Sequence, residues 1–144
     1  MEKELAEKFY MIMGDFRKIL LSKNNLGELS KSELSMLQVI KQCEKDSSQV
    51  NTCVLSHNLH ISKPATSQMI NILEDKQYIR RIINKSDRRL MCVVLTDVGN
   101  QVFEKEVKNL LNKLNLVFDK MGQQDSELFV ELLGKYVSVF KEIV

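Results

Sequence analysis

Cysteine is scarce: Cys43, Cys53 and Cys92 make three, an odd number with no close pair, so a disulfide framework has little support and reduced thiols are expected. Long apolar runs are missing as well. No stretch approaches the roughly 20 consecutive apolar residues that a bilayer-spanning helix needs. The start Met1-Glu2-Lys3-Glu4 is too charged to be the front of a signal peptide, which predicts a cytoplasmic chain with no membrane partner. There is no glycine-rich phosphate loop, no nucleophile elbow, and no cluster of carboxylates with a histidine on one expected face, so the pattern does not support an enzyme. Internal repeats and low-complexity segments are also lacking. The 144 residues, 44% of them apolar, fit one folded domain or a small domain with long helical extensions.

The net charge of +2 is too small to name a partner, but its distribution is uneven. Residues 1–60 balance, with eight basic and eight acidic side chains, while residues 61–96 hold seven basic against three acidic and residues 97–144 hold six against eight. Six cations, Lys76, Arg80, Arg81, Lys85, Arg88 and Arg89, face the single anion Asp87 between positions 76 and 89. Such a cluster suits phosphate neutralisation; the plainer reading is a solvated hairpin.

Apolar residues from Leu5 through Phe9, Ile12, Met13, Phe16, Ile19 and Leu20 recur at helical steps and predict a first helix ending near 22–27. Ser30-Lys31-Ser32-Glu33 is a capping-box pattern that opens a second helix, with Leu34, Leu37 and Ile40 as its buried row. A polar loop leads to a short helix over 52–58, with Leu55 and Leu59 inward and His60 in the turn. Ser62 is the expected N-cap of the next helix, and Pro64 falls in its first turn, where no intrahelical donor is lost. Ala65, Met69, Ile72 and Leu73 are expected to face the core, which turns Lys63, Thr66, Ser67 and Gln68 outward.

Residues 78–83 and 90–95 are short and rich in β-branched side chains, and the turn-forming 84–87 separates them as in a hairpin. Thr96-Asp97 opens a long helix, Gly122 interrupts it, and a last helix follows from about Asp125 with Leu128, Phe129, Leu132, Leu133, Tyr136, Phe140 and Ile143 on one side. The expected fold is mainly α with a small β-hairpin wing. A helix-turn-helix with an arginine-tipped hairpin can present short polar side chains to a major groove and cations to the backbone or minor groove of double-stranded DNA.

Two other signals are weaker. Cys53, His57 and His60 have ligand chemistry, but no fourth ligand is evident nearby, and surface histidines with a packed cysteine are the expectation; no metal or other cofactor is assigned. Cys43 and Cys92 read as small buried hydrophobes. The helices at both ends carry broad apolar faces beyond what the reading part at 30–96 needs, so 1–27 and 97–144 are expected to pair with a second copy, setting two reading heads on one side of a homodimer.

The order of these residues resembles the multiple-antibiotic-resistance regulator (MarR) family of bacterial transcription factors. Three stretches carry the likeness: Leu55 to Ser67, Ile72 to Ile79, and Asp87-Arg88-Arg89 leading to Leu95-Thr96-Asp97-Val98-Gly99. The resemblance implies one domain over 1–144, a homodimeric winged helix-turn-helix repressor, less often an activator, on an inverted-repeat operator. Its DNA-contacting residues would be Ser62, Lys63, Pro64, Thr66, Ser67 and Gln68 on the recognition helix and Asp87, Arg88 and Arg89 in the wing. Arg89 would enter the minor groove, Asp87 would fix its direction, and Arg88 would serve phosphate or the wing's own packing.

The resemblance also implies release by a small, often aromatic or phenolic, effector. Phe9, Met13, Phe16 and Met36 are of the types that line such a cavity, and more often of the types that fill a plain core. Two glycines usual in the family are replaced, one by His60 at the helix-turn-helix turn and one by Tyr78 at the end of the recognition helix. Some relatives sense oxidants through a cysteine near the start of the first helix, but none precedes Cys43 here. The rival reading is a winged-helix module for protein or RNA that does not read duplex sequence.

Overall fold

The computed structural model describes residues 2–22, 27–83 and 91–144. Within them the order is α1 (Glu2–Ser22), α2 (Lys31–Lys45), α3 (Thr52–Leu59), α4 (Lys63–Asp75), β1 (Ile79–Ile83), β2 (Met91–Leu95), α5 (Asp97–Met121) and α6 (Gln123–Ile143). The mainly helical expectation with one hairpin is met. The hairpin turn, and with it Asp87, Arg88 and Arg89, lies outside the described residues. Contacts divide the chain into two units, Met1–Glu106 and Val107–Val144.

In the first unit, side-chain caps set the helix starts. The Ser30 Oγ accepts from the Glu33 amide at 3.1 Å, as the capping box requires. The Glu33 carboxylate, expected to reach back to the Ser30 amide, instead takes the Lys76 ammonium at 2.7 Å and ties the start of α2 to the end of α4. Asn51, in the polar segment expected to form a loop, caps α3 by accepting from Val54 N–H at 2.9 Å. Ser62 caps α4 through the Ala65 amide at 3.2 Å.

Helix ends use the left-handed region. At the end of α4 the Tyr78 amide bonds back to Leu73 O at 3.0 Å and the Gln77 amide to Glu74 O at 2.9 Å, the paired closing bonds of a Schellman motif. The residue with positive φ is therefore Gln77, at 63°, one position before the Tyr78 that the family pattern suggested. His60 plays the same part after α3, with φ 53° and ψ 42°.

The core of this unit joins Met36, Leu37 and Ile40 of α2 to Leu55 of α3, Ile70 and Leu73 of α4, Ile79 and Val93 of the hairpin, and Phe103 of α5. Met36 is fully buried and Leu34 only half-buried, so the buried row of α2 differs at its first member from the expected one. The strands pair antiparallel from Ile79↔Leu95 to Ile83↔Met91, and the Val93 amide donates to Val50 O at 2.8 Å, which carries the pairing into the segment before α3.

The Tyr78 carbonyl is where α5 meets the hairpin. It accepts from Thr96 N–H at 3.0 Å, while Thr96 Oγ1 donates to Gln77 O at 2.6 Å and accepts from Gly99 N–H at 3.0 Å. A Cβ on Gly99 would stand 1.9 Å from the Tyr78 carbonyl oxygen, so only glycine allows this approach.

In the second unit Gly122, at φ 89°, ends α5, and the buried Ser126 donates to Gly122 O at 2.7 Å and Phe118 O at 3.1 Å. Tyr136 and Phe140 stack with ring centroids 5.8 Å apart. The apolar row expected on the last helix is present, but Leu128, Phe129, Leu132, Leu133, Phe140 and Ile143 are all exposed.

Two substitutions check this account of the first unit. Gln77→Gly removes the Cβ penalty of a left-handed residue and is expected to raise unfolding stability by about 1 kcal/mol. Gly99→Ala is expected to lower it by about 2–3 kcal/mol, because the Tyr78 backbone must move. Urea unfolding of both variants beside the parent chain measures the two shifts.

Candidate nucleic-acid interface

Three residues bury α4 on one side: Thr66, Ile70 and Leu73, at steps of four and three. Thr66 is 0% exposed, and its Oγ1 donates to Ser62 O at 2.9 Å. This corrects the expectation that Thr66 faces outward as a DNA contact. With its hydroxyl satisfied one turn back, threonine behaves as a small β-branched core residue. The expected core residues Ala65 and Ile72 are exposed, Ile72 by 42%, while Met69 is half-buried. The helix is thus rotated by close to one residue, roughly 100° at 3.6 residues per turn, from the phase expected of its apolar residues.

That rotation brings together a different outward stripe. Pro64, Ser67, Gln68 and Asn71 are exposed and follow one another at helical neighbour spacing opposite Thr66, with Lys63 exposed beside them. Five of the six expected α4 candidates, Ser62, Lys63, Pro64, Ser67 and Gln68, are exposed at the start of the helix. Asn71, two turns into the helix, lies beyond the first-turn residues expected at DNA.

The cation cluster is partly neutralised within the fold. Lys76 pairs with Glu33, as described, and Arg81 Nε lies 3.7 Å from Glu74 Oε2 while its Nη2 donates to Asn71 Oδ1. Both acidic partners lie outside the stretch 76–89 in which the sequence showed a lone anion. Arg80 is exposed, and strand alternation sets it on the opposite face of the hairpin from Arg81. Lys85, Arg88 and Arg89 fall outside the described residues. A cleft of about 310 Å³ between α3, α4 and the hairpin is bordered by Thr52, Ser67, Asn71 and Arg81.

The remaining candidates separate. Phe9, Met13 and Phe16 of α1 are exposed, whereas Met36 is in the core and is not available to a ligand. Cys53 is exposed rather than packed, Cys43 is half-buried, and Cys92 is buried with its Sγ 3.9 Å from Gln49 Oε1. Among the described residues no group of three or more His, Cys, Asp or Glu is placed to hold a metal ion, and no helix is long and apolar enough to cross a membrane.

Comparison with known proteins places this arrangement. The model of the MarR family matches residues 29–91. A Bacillus subtilis protein named as the uncharacterized HTH-type transcriptional regulator YwhA is 25% identical over 75 residues, 52% of this chain and 54% of that protein, so the chain spans about half the length of the curated relative it matches. Two solved structures share the fold over nearly all their length. MepR, a transcription regulator of the Staphylococcus aureus multidrug efflux pump MepA, has a TM-score of 0.75 at 17% identity, with 94% of this chain and 97% of that one covered. Streptococcus pneumoniae FabT in complex with DNA has a TM-score of 0.70 at 18% identity, with 100% of both chains covered.

The burial of α4 makes a direct prediction. Thr66→Ala is expected to lower unfolding stability by about 1–2 kcal/mol, through a lost buried methyl and hydroxyl. Ser67→Ala and Gln68→Ala, on the exposed face, are expected to stay within about 0.5 kcal/mol. Denaturant titration distinguishes the two classes.

Proposed function

We propose that this chain, a member of the MarR family, is a homodimeric transcriptional regulator that binds an inverted-repeat operator, represses from it, and performs no catalysis. The observation that carries the reading is the exposed polar stripe at the start of α4, held at a fixed rotation by the buried Thr66 behind it. Lys63, Ser67 and Gln68 are of the length and chemistry to reach phosphate and base edges when such a helix lies in a major groove. Ser62 and Pro64 shape the helix end that enters first.

The wing supplies the second contact. Asp87, Arg88 and Arg89 lie between two strands whose stem is anchored to α4, and Arg89 at a narrow minor groove would meet enhanced negative potential. Exposed Arg80 adds a cation nearer the strands.

Dimerisation is supported by apolar surface. In α1, Phe9, Met13 and Phe16 are exposed, and α6 exposes the row described above. Patches of that extent mark interaction surfaces. Paired copies of the same helices cover them and place two α4 helices about one DNA turn, roughly 34 Å, apart. Release by a small aromatic or phenolic effector belongs to the same reading.

The reading is tested by binding. The purified protein is expected to run as a dimer in light scattering and to prefer an inverted-repeat duplex, recovered by selection from random sequences, over random duplex by at least about 10³-fold. Affinity is expected to fall steeply with salt. Arg89→Ala is expected to weaken operator binding by about 1–3 kcal/mol with the dimer intact. A monomer indifferent to duplex DNA at low salt contradicts the reading, and preference for RNA or a protein partner would establish the rival one.

A further inference from the structure

We propose that Asn71 is a base-reading residue whose amide is oriented by Arg81, so that it offers only its N–H2 edge to the groove and selects a base presenting acceptors. The inference rests on the DNA-binding reading above and deepens it.

Arginine carries five donors and no acceptor, so only the carbonyl oxygen of an asparagine can face it. Arg81 Nη2 donates to Asn71 Oδ1, and that contact therefore fixes which end of the Asn71 amide points at the hairpin. Arg81 is held in turn by Glu74, with Nε 3.7 Å from Oε2, so the three side chains form a chain along the last turns of α4. Asn71 is exposed and lies three and four residues beyond Gln68 and Ser67 on the outward stripe.

A free asparagine reads adenine by using its oxygen and nitrogen together. With Oδ1 turned toward Arg81, Nδ2 is the end left to the groove, where it can donate to guanine O6 or N7, thymine O4 or adenine N7, whereas cytosine presents a donor there. The same geometry gives Arg81 a positioning role. Although it sits in the basic stretch beside Arg80, its guanidinium is directed at Asn71 and Glu74 rather than at phosphate.

The test is selection from random duplexes with the parent chain, Asn71→Ala, Arg81→Gln and the double variant, each checked for an unchanged far-ultraviolet spectrum. The parent is expected to select bases that present an acceptor, and to exclude cytosine, at one position of each half-site. Asn71→Ala is expected to lose about tenfold preference there while keeping the rest of the motif. Arg81→Gln is expected to relax the same position, with no further loss in the double variant. The slope of log affinity against log salt is expected to stay unchanged for Arg81→Gln and to fall by about one for Arg80→Gln.

An intact motif in Asn71→Ala, an even loss across all sequences, or cytosine at the affected position overturns the assignment. A salt slope lowered by about one in Arg81→Gln makes Arg81 a phosphate contact and overturns its positioning role. A parent chain that selects no duplex overturns the DNA-binding reading itself, and this assignment with it.

Discussion

The hydroxyl of Thr66, returned to the Ser62 carbonyl at 2.9 Å, is the small contact on which the presentation of α4 depends. It lets a polar residue take a core position without an unsatisfied group, and with Ile70 and Leu73 it fixes the rotation of the helix about its axis. Once that rotation is set, Pro64, Ser67, Gln68 and Asn71 have no direction left but outward. A helix rotated to bury Ala65 and Ile72 instead would present Thr66 and bring Gln68 toward the edge of the buried face. Ser62 serves twice, since its side chain caps the helix while its carbonyl holds Thr66.

A second set of contacts ties the hairpin to the helix it accompanies. Arg81 reaches from β1 to Asn71 and Glu74, Lys76 reaches from the end of α4 to Glu33, and the Tyr78 carbonyl meets Thr96 with Gly99 packed beside it. Charge that looks available for phosphate in a linear count is thus divided. Lys76 and Arg81 brace the fold, leaving exposed Arg80 for an external anion among the described cations of that stretch. Exposed ion pairs contribute little stability one by one, so the value of these lies in orientation.

Features whose chemistry is local were legible in the sequence. The caps Ser30 and Ser62, the Pro64 in the first turn of α4 and the two strands all follow from neighbours in the chain, and the structure has each of them. What failed depended on distant partners or on ambivalent side chains. Threonine scores as polar, so the phase of α4 was misjudged, and Ile72, scored as core, is 42% exposed. Glu33 and Glu74 lie outside the basic stretch they neutralise, so no count along that stretch includes them. Asn51 looked like loop composition because its capping partner, Val54 N–H, belongs to a helix too short to show a strong period.

The most direct check on the central claim is the crystal structure of the protein on its selected duplex. The account predicts two α4 helices in successive major grooves of an inverted repeat, with Ser67, Gln68 and Asn71 at base edges and Thr66 Oγ1 still bonded to Ser62 O. A complex in which Thr66 turns into the groove, or in which α4 lies away from the bases, would contradict it.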